Sequence, residues 1–206
     1  CNYRCTYCMP AQGVEWKPHS GILRHEEILS IVAVAASLGI TKIKLTGGEP
    51  LVRRGVEDLV AGIAKIPGIS DLGMTTNGAL LTREKAAVLK RAGLKRVNIS
   101  LDTLDPYRFR ELTRGGDVED VLRGVETAMA SGFDPIKINM VVFSDTQDQD
   151  IAAMRDFCSR RGLLLQTISH FSLHGHDGSQ ALVTDRPLPC SQCNRLRLTA
   201  ARFLKP

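Results

Sequence analysis

Aromatic residues are scarce in this chain: they make up 5% of its 206 residues, with a single tryptophan. That is thin for stacking on bases, and 27 basic against 22 acidic residues is a mild excess. Together these features speak against nucleic acid as a partner and suit a small anionic one. Long apolar runs are missing as well. The longest, Ile28 to Ile40, is broken by Ser30, Ser37 and Gly39, short of the ~18 residues of a membrane-spanning helix. There is no internal repeat or low-complexity segment. With 43% hydrophobic residues and a mean hydropathy of -0.06, the chain reads as a soluble globular protein with a sizeable core. It has neither an initiator Met nor a targeting segment and runs from Cys1 to Pro206. This reads as a trimmed cytoplasmic protein.

Of the six cysteines, Cys1, Cys5 and Cys8 fall in the first eight residues and Cys190 and Cys193 near the other end. Disulfide scaffolds spread their cysteines along a short secreted chain; two tight clusters flanking a long interior read as metal ligation in a reducing compartment. Cys158 stands apart. It recurs with Ile151, Met154 and Phe157 at helical spacing and belongs to a core.

Between Lys42 and Ser169, β-branched runs alternate with helical patterns. Strands are expected over Lys42–Thr46, Leu72–Thr76, Arg96–Leu101, Ile136–Phe143 and Leu163–Ile168. Helices are expected over His25–Leu38, Gly55–Ile66, Thr82–Ala92, Val118–Ala130 (capped by Asp117) and Gln147–Arg161. The alternation predicts parallel βαβ units in an α/β fold, an open barrel of about six units whose sixth strand would precede Cys1. Chemistry in such sheets sits at the carboxyl ends of the strands, where Gly47-Gly48-Glu49-Pro50, Thr76-Asn77-Gly78 and Ser100–Asp102 fall. After Ile168 the chain turns rich in His, Gly, Ser and Asp, including His170, His174 and His176, which reads as a polar loop. Arg53 and Arg54 read as a solvated helix start.

Cys1-x3-Cys5-x2-Cys8 places three thiolates on one loop. They suit three irons of a [4Fe–4S] cluster and leave the fourth iron open for chemistry; zinc would need a fourth ligand from elsewhere. Lys42 with Lys44, and Arg195 with Arg197, alternate on strands, so each pair shares a face. Unpaired inward charge is costly, and a bound polyphosphate would neutralise it.

CxxxCxxC with Tyr7 before its third cysteine, followed by GGEP, resembles the radical S-adenosylmethionine (SAM) superfamily. Within it, CNYRCTYCMP, LTGGEPLVRR, TTNG, NISLDTLD, LTRGG and CSQCNRLRLT resemble the GTP 3′,8-cyclase family of molybdenum-cofactor biosynthesis. The resemblance implies a partial (β/α)6 radical SAM barrel over 1–169, a loop or linker over 170–189, and a small C-terminal cluster-binding appendage beginning at 190–206. It implies that Cys1, Cys5 and Cys8 hold a [4Fe–4S] cluster and that Tyr7, Gly47, Gly48, Glu49, Thr75, Ser100, Lys137 and Asn139 contact SAM. Cys190 and Cys193, with a third cysteine beyond Pro206, would hold a second cluster. Lys42, Lys44, Arg195 and Arg197 would contact the triphosphate of GTP. The implied reaction uses an electron donor and a 5′-deoxyadenosyl radical. That radical abstracts the ribose 3′ hydrogen, and the carbon radical attacks guanine C8 to give 3′,8-cyclo-7,8-dihydro-GTP.

Two departures accompany the resemblance. Only about twenty residues separate Ile168 from Cys190, where the family has a long segment, and Gln166 stands where the family carries an arginine. They keep two alternatives in view: a radical SAM enzyme acting on a peptide or another metabolite, and a non-catalytic iron–sulfur or zinc module. A homodimer is left open.

Overall fold

A computed structural model describes residues 1–14, 18–170 and 195–205. Cys190, Cys193, His174, His176 and nearly all of the expected 170–189 loop lie outside the described residues.

Five strands form one sheet: β1 (Lys42–Leu45), β2 (Asp71–Thr76), β3 (Arg96–Ser100), β4 (Ile136–Val142) and β5 (Leu164–Ser169). They lie in chain order, every neighbouring pair parallel. Parallel crossovers are right-handed, so strands added always on the same side put their helices on one face. Those helices are α1 (His25–Ser37), α2 (Val56–Ala64), α3 (Arg83–Arg91), α4 (Pro106–Thr113), α5 (Val118–Ala130) and α6 (Asp148–Arg160). The result is an open α/β barrel with five of the six expected strands among the described residues.

The strands alternate, as KIKL and IKINMVV show, instead of reading as the continuous apolar runs of a sheet covered on both faces. Leu72, Met74, Val97, Ile99, Ile138 and Met140 are buried under Val60, Ile63, Leu89, Val121, Val125 and Met154 of the helices. The opposite, concave face is polar. Cys158 is 1% exposed within the helix-side core, and Asp117 caps α5 by accepting from Glu119 N at 2.9 Å. Among the described residues no helix is long and apolar enough to cross a membrane.

Three features depart from the sequence expectations. Helix α4 was not expected: Asp105 caps it through Arg108 N at 2.6 Å and Pro106 stands in its first turn. With eight residues and few buried apolar ones, it carries too little periodicity to be read. Arg53 is half-buried, donating to Leu23 O at 2.6 Å and His25 Nε2 at 2.9 Å, so it ties α1 to the turn after β1 instead of facing solvent. Glu27, in the first turn of α1, makes a tertiary contact that the sequence did not mark, accepting from Arg202 at 3.1 Å. Arg202 belongs to the turn between two short antiparallel strands, β6 (Arg197–Leu198) and β7 (Leu204–Lys205). The Leu23 N to Ala200 O bond, 2.9 Å, docks this hairpin beside the start of α1.

Candidate active site

The polar face is organised in rows by strand register. Lys44, Gly73 and Arg96 form one row; Thr75, Asn98 and Lys137 form the next; Ser100, Asn139 and Gln166 form a third, nearest the carboxyl ends. Five of the residues expected to bind SAM or triphosphate, Lys44, Thr75, Ser100, Lys137 and Asn139, therefore share one surface, with Lys42 one row below Lys44. Both lysines of β1 are exposed there. Below the site, Arg96 Nε and Nη2 grip both oxygens of Asp71 at 2.7 and 2.9 Å. Gly73 makes room for that guanidinium: a Cβ on Gly73 would lie 2.8 Å from Arg96 Cζ.

Above the rows lies the Cys1–Cys8 segment, which contains neither helix nor strand. Cys1 packs against Gly48, where an added Cβ would meet Cys1 Cβ at 3.0 Å. The Cys5 and Cys8 thiols hydrogen-bond to each other. That bond draws Cys8 down to about 7 and drives Cys5 above the ordinary thiol range. Gly48 thus admits the cysteine loop, and Glu49 links neighbouring turns. Its buried carboxylate accepts from Leu51 N (2.9 Å), Thr76 Oγ1 (2.7 Å) and Asn77 N (2.7 Å). Three of roughly four acceptor positions are filled from within the protein. Glu49 joins the turn after β1 to the turn after β2, and Asn77 Nδ2 carries that link on to Asn2 Oδ1 at 2.8 Å.

Tyr7 is held from the other side. Its hydroxyl donates to Asp102 Oδ2, and its ring packs against Phe143 at 5.3 Å and His170 at 6.3 Å. Burial, then the neighbouring carboxylate, pushes its phenol above the usual range. Burial also raises Asp102, opposed by donors from Val141 N and Tyr7. His170 also packs against Phe143 at 5.1 Å with the rings tilted, and so belongs to the aromatic surroundings of Tyr7. Arg195 and Arg197 are exposed, and Arg197 pairs through its backbone with Lys205 on the hairpin by α1.

Sequence reading missed Asn98 and Arg114, and placed Asp102 at a strand end without giving it a role. The signal for Asp102 was its place just past β3, two residues beyond Ser100. Asn98 donates to Asn139 Oδ1 at 3.3 Å, and its own Oδ1, in a residue 2% exposed, has no partner. An orphaned buried acceptor is costly; its position on the concave face fits a donor-bearing ligand lodged among these rows. The donor chemistry of the loop fits a cluster. Among the described residues no three His, Cys, Asp or Glu side chains are gathered for a single metal ion, whereas a cuboidal cluster takes each thiolate on its own iron.

The comparisons agree with this geometry. The pattern of the radical SAM superfamily matches residues 1–158. GTP 3′,8-cyclase of Alkaliphilus oremlandii is 50% identical over 247 positions, covering all of this chain and 77% of the relative. The same-named protein of Pelotomaculum thermopropionicum is 48% identical over 252 positions with the same coverage. Both alignments exceed 206 positions, so each relative carries residues that this chain lacks. Streptococcus suis SuiB bound to S-adenosylmethionine superposes with a TM-score of 0.69 at 18% identity, over 84% of this chain and 38% of SuiB; at that identity it shows the fold. The chain belongs to the radical SAM superfamily and, within it, to the GTP 3′,8-cyclase family.

Proposed function

We propose that this protein is a radical SAM enzyme acting on GTP: hydrogen abstraction from the ribose 3′ carbon is followed by bonding of that carbon to guanine C8. The observation that carries the reading is the 48–50% identity to GTP 3′,8-cyclases along the whole chain, joined to a thiol loop seated over a polar concave face. When bound at Cys1, Cys5 and Cys8, a [4Fe–4S] cluster supplies the one-electron reduction of SAM, drawing on an external electron donor.

The chain's own residues bind and orient. Gly47 and Gly48 offer backbone at the rim, Tyr7 sits beside the thiols, and Thr75, Ser100, Lys137 and Asn139 line the face on which SAM and substrate meet. Lys42 and Lys44 supply positive charge toward the triphosphate, and Arg195 and Arg197 are assigned to the same anion. Cys190 and Cys193 are assigned to a second cluster. The barrel's task is to orient a reactive radical and keep water from it.

Anaerobic reconstitution of the full protein with iron, sulfide, SAM and a strong reductant tests the reading. GTP-dependent formation of 5′-deoxyadenosine and of a cyclised GTP product is expected. SAM cleavage that GTP neither stimulates nor consumes would keep the enzyme class and remove the substrate. A second reading, a different substrate, draws on Gln166. It lies level with Asn139 on the concave face, so an arginine replaced there changes the site itself. Retention of GTP affinity on replacing Arg195 and Arg197 together by alanine would favour that reading.

A further inference from the structure

We propose that Arg114 is a positioning residue that holds the cysteine loop in its ligating shape before any cluster is bound. One guanidinium nitrogen, Nη1, donates to Arg4 O at 2.8 Å and to Met9 O at 2.7 Å. Those carbonyls bracket Cys5 and Cys8, so a single cation ties together both ends of the stretch that carries two thiols. The helix that delivers Arg114 contributes as well. The last carbonyls of a helix have no partner within it; here Leu112 O accepts from Thr6 N at 2.8 Å and Thr113 O from Arg4 N at 3.2 Å. The amides on either side of Cys5 are thereby bound to the end of α4.

The local backbone serves this arrangement. Arg114 has φ 54° and ψ 56°, a left-handed conformation that side-chain-bearing residues seldom adopt. It turns the chain so that Gly115 N closes on Arg110 O at 2.9 Å. Gly116 then lies beneath the ring of Tyr3. A Cβ there would stand 2.8 Å from Tyr3 Cε1 and 2.6 Å from Thr113 Oγ1. The Leu112–Gly116 run, which ends α4 and leads toward α5, is the seat of the cysteine loop.

The physical effect is preorganisation. A segment without helix or strand samples many conformations, and ordering it on binding costs entropy. Four hydrogen bonds between residues 4–9 and 112–114 meet that cost in the protein itself. Arg114 is exposed, so it acts on the loop and not on the core. Its planar fork fixes where its hydrogens point, which a lysine ammonium does not.

The inference rests on Cys1, Cys5 and Cys8 being the cluster ligands, and the test separates the two. Full-length protein, stripped of iron, is compared as wild type, Arg114→Ala, Arg114→Lys and Arg110→Ala, the last an exposed control on the same helix. Hydrogen exchange is followed in residues 3–9, together with melting temperature. After reconstitution, iron and sulfide content and the rate of iron loss to a chelator are measured. Arg114→Ala is expected to accelerate exchange in 3–9 and iron loss by about tenfold, the scale of a lost hydrogen bond to a charged group. Its melting temperature should stay unchanged. Arg114→Lys should fall between, and Arg110→Ala should match wild type. Unchanged exchange in Arg114→Ala would overturn the proposal; so would faster exchange with wild-type iron retention. If replacing Cys1, Cys5 and Cys8 by serine leaves the iron content intact, the ligand assignment fails and takes the cluster-holding role with it.

Discussion

Tyr7 donates its hydroxyl to Asp102 Oδ2 at 2.7 Å, and Val141 N donates to Oδ1 of the same carboxylate at 2.8 Å. Asp102 is 8% exposed, so this carboxylate joins the cysteine loop, the end of β3 and the end of β4 within the protein. Tyr7→Phe removes one donor while keeping the ring against Phe143. Leaving a buried carboxylate oxygen unpaired costs about 1–3 kcal/mol. Urea unfolding of the iron-free protein should show Tyr7→Phe destabilised by that amount; equal midpoints would mean the bond contributes nothing.

The Asp71–Arg96 pair carries a pH signature. Hydrogen bonds from Arg96 hold the Asp71 carboxyl below its ordinary range. In the unfolded chain it titrates near ~3.9, so the unfolded state takes up the proton first. The pair's stabilisation is therefore complete above the unfolded value and is lost as pH falls through the lower, folded one. The stability difference between wild type and Asp71→Asn should be full at pH 6 and shrink as pH drops below about 4. A difference independent of pH would show that the pair is not coupled to folding.

How much of this was legible in the sequence depends on the range of the interactions. Strands such as Ile136–Val142 declared themselves because alternation survives in any seven-residue window, and their polar positions became one face once strand order was set. The Cys1–Cys8 loop and GGEP were visible as motifs. Their supports were not: Tyr7 to Asp102 spans 95 residues, and Arg114 to Arg4 spans 110. Partners that distant leave no periodicity. Glu49 illustrates the limit in another way: its motif was visible, but the three donors that the fold directs to it, Leu51 N, Thr76 Oγ1 and Asn77 N, were not.

Cys158 separates core thiols from the loop thiols. Burial raises it to about 11, so at pH 8 it is protonated as well as enclosed. Iodoacetamide applied to native, iron-free protein should modify Cys1 and Cys8, which are exposed, and spare Cys158 until urea is added. Peptide mass spectrometry reads the outcome. Cys158→Ala should leave iron content unchanged after reconstitution. Rapid native labelling of Cys158 would contradict its place in the core.

Two helical glycines should respond oppositely to alanine. In α5, a Cβ on Gly124 would lie 2.2 Å from Gly78 O and 2.9 Å from Gly78 C. That backbone has little freedom, because Gly78 N donates to Thr76 Oγ1, which in turn donates to Glu49. Relief would require α5 to withdraw and would drag the Asn77 turn away from Asn2. In α2, a Cβ on Gly62 would meet only the branched end of Leu29, at 2.7 Å, and that side chain can rotate aside. Overpacking costs ~1–3 kcal/mol and occasionally more, while alanine gains up to ~1 kcal/mol in a helix over glycine. Gly124→Ala should therefore reach or exceed the upper end of that cost, and Gly62→Ala should lie within about 1 kcal/mol of wild type. Equal unfolding midpoints for the two variants would mean that the contact between α5 and the Asn77 turn does not constrain the site.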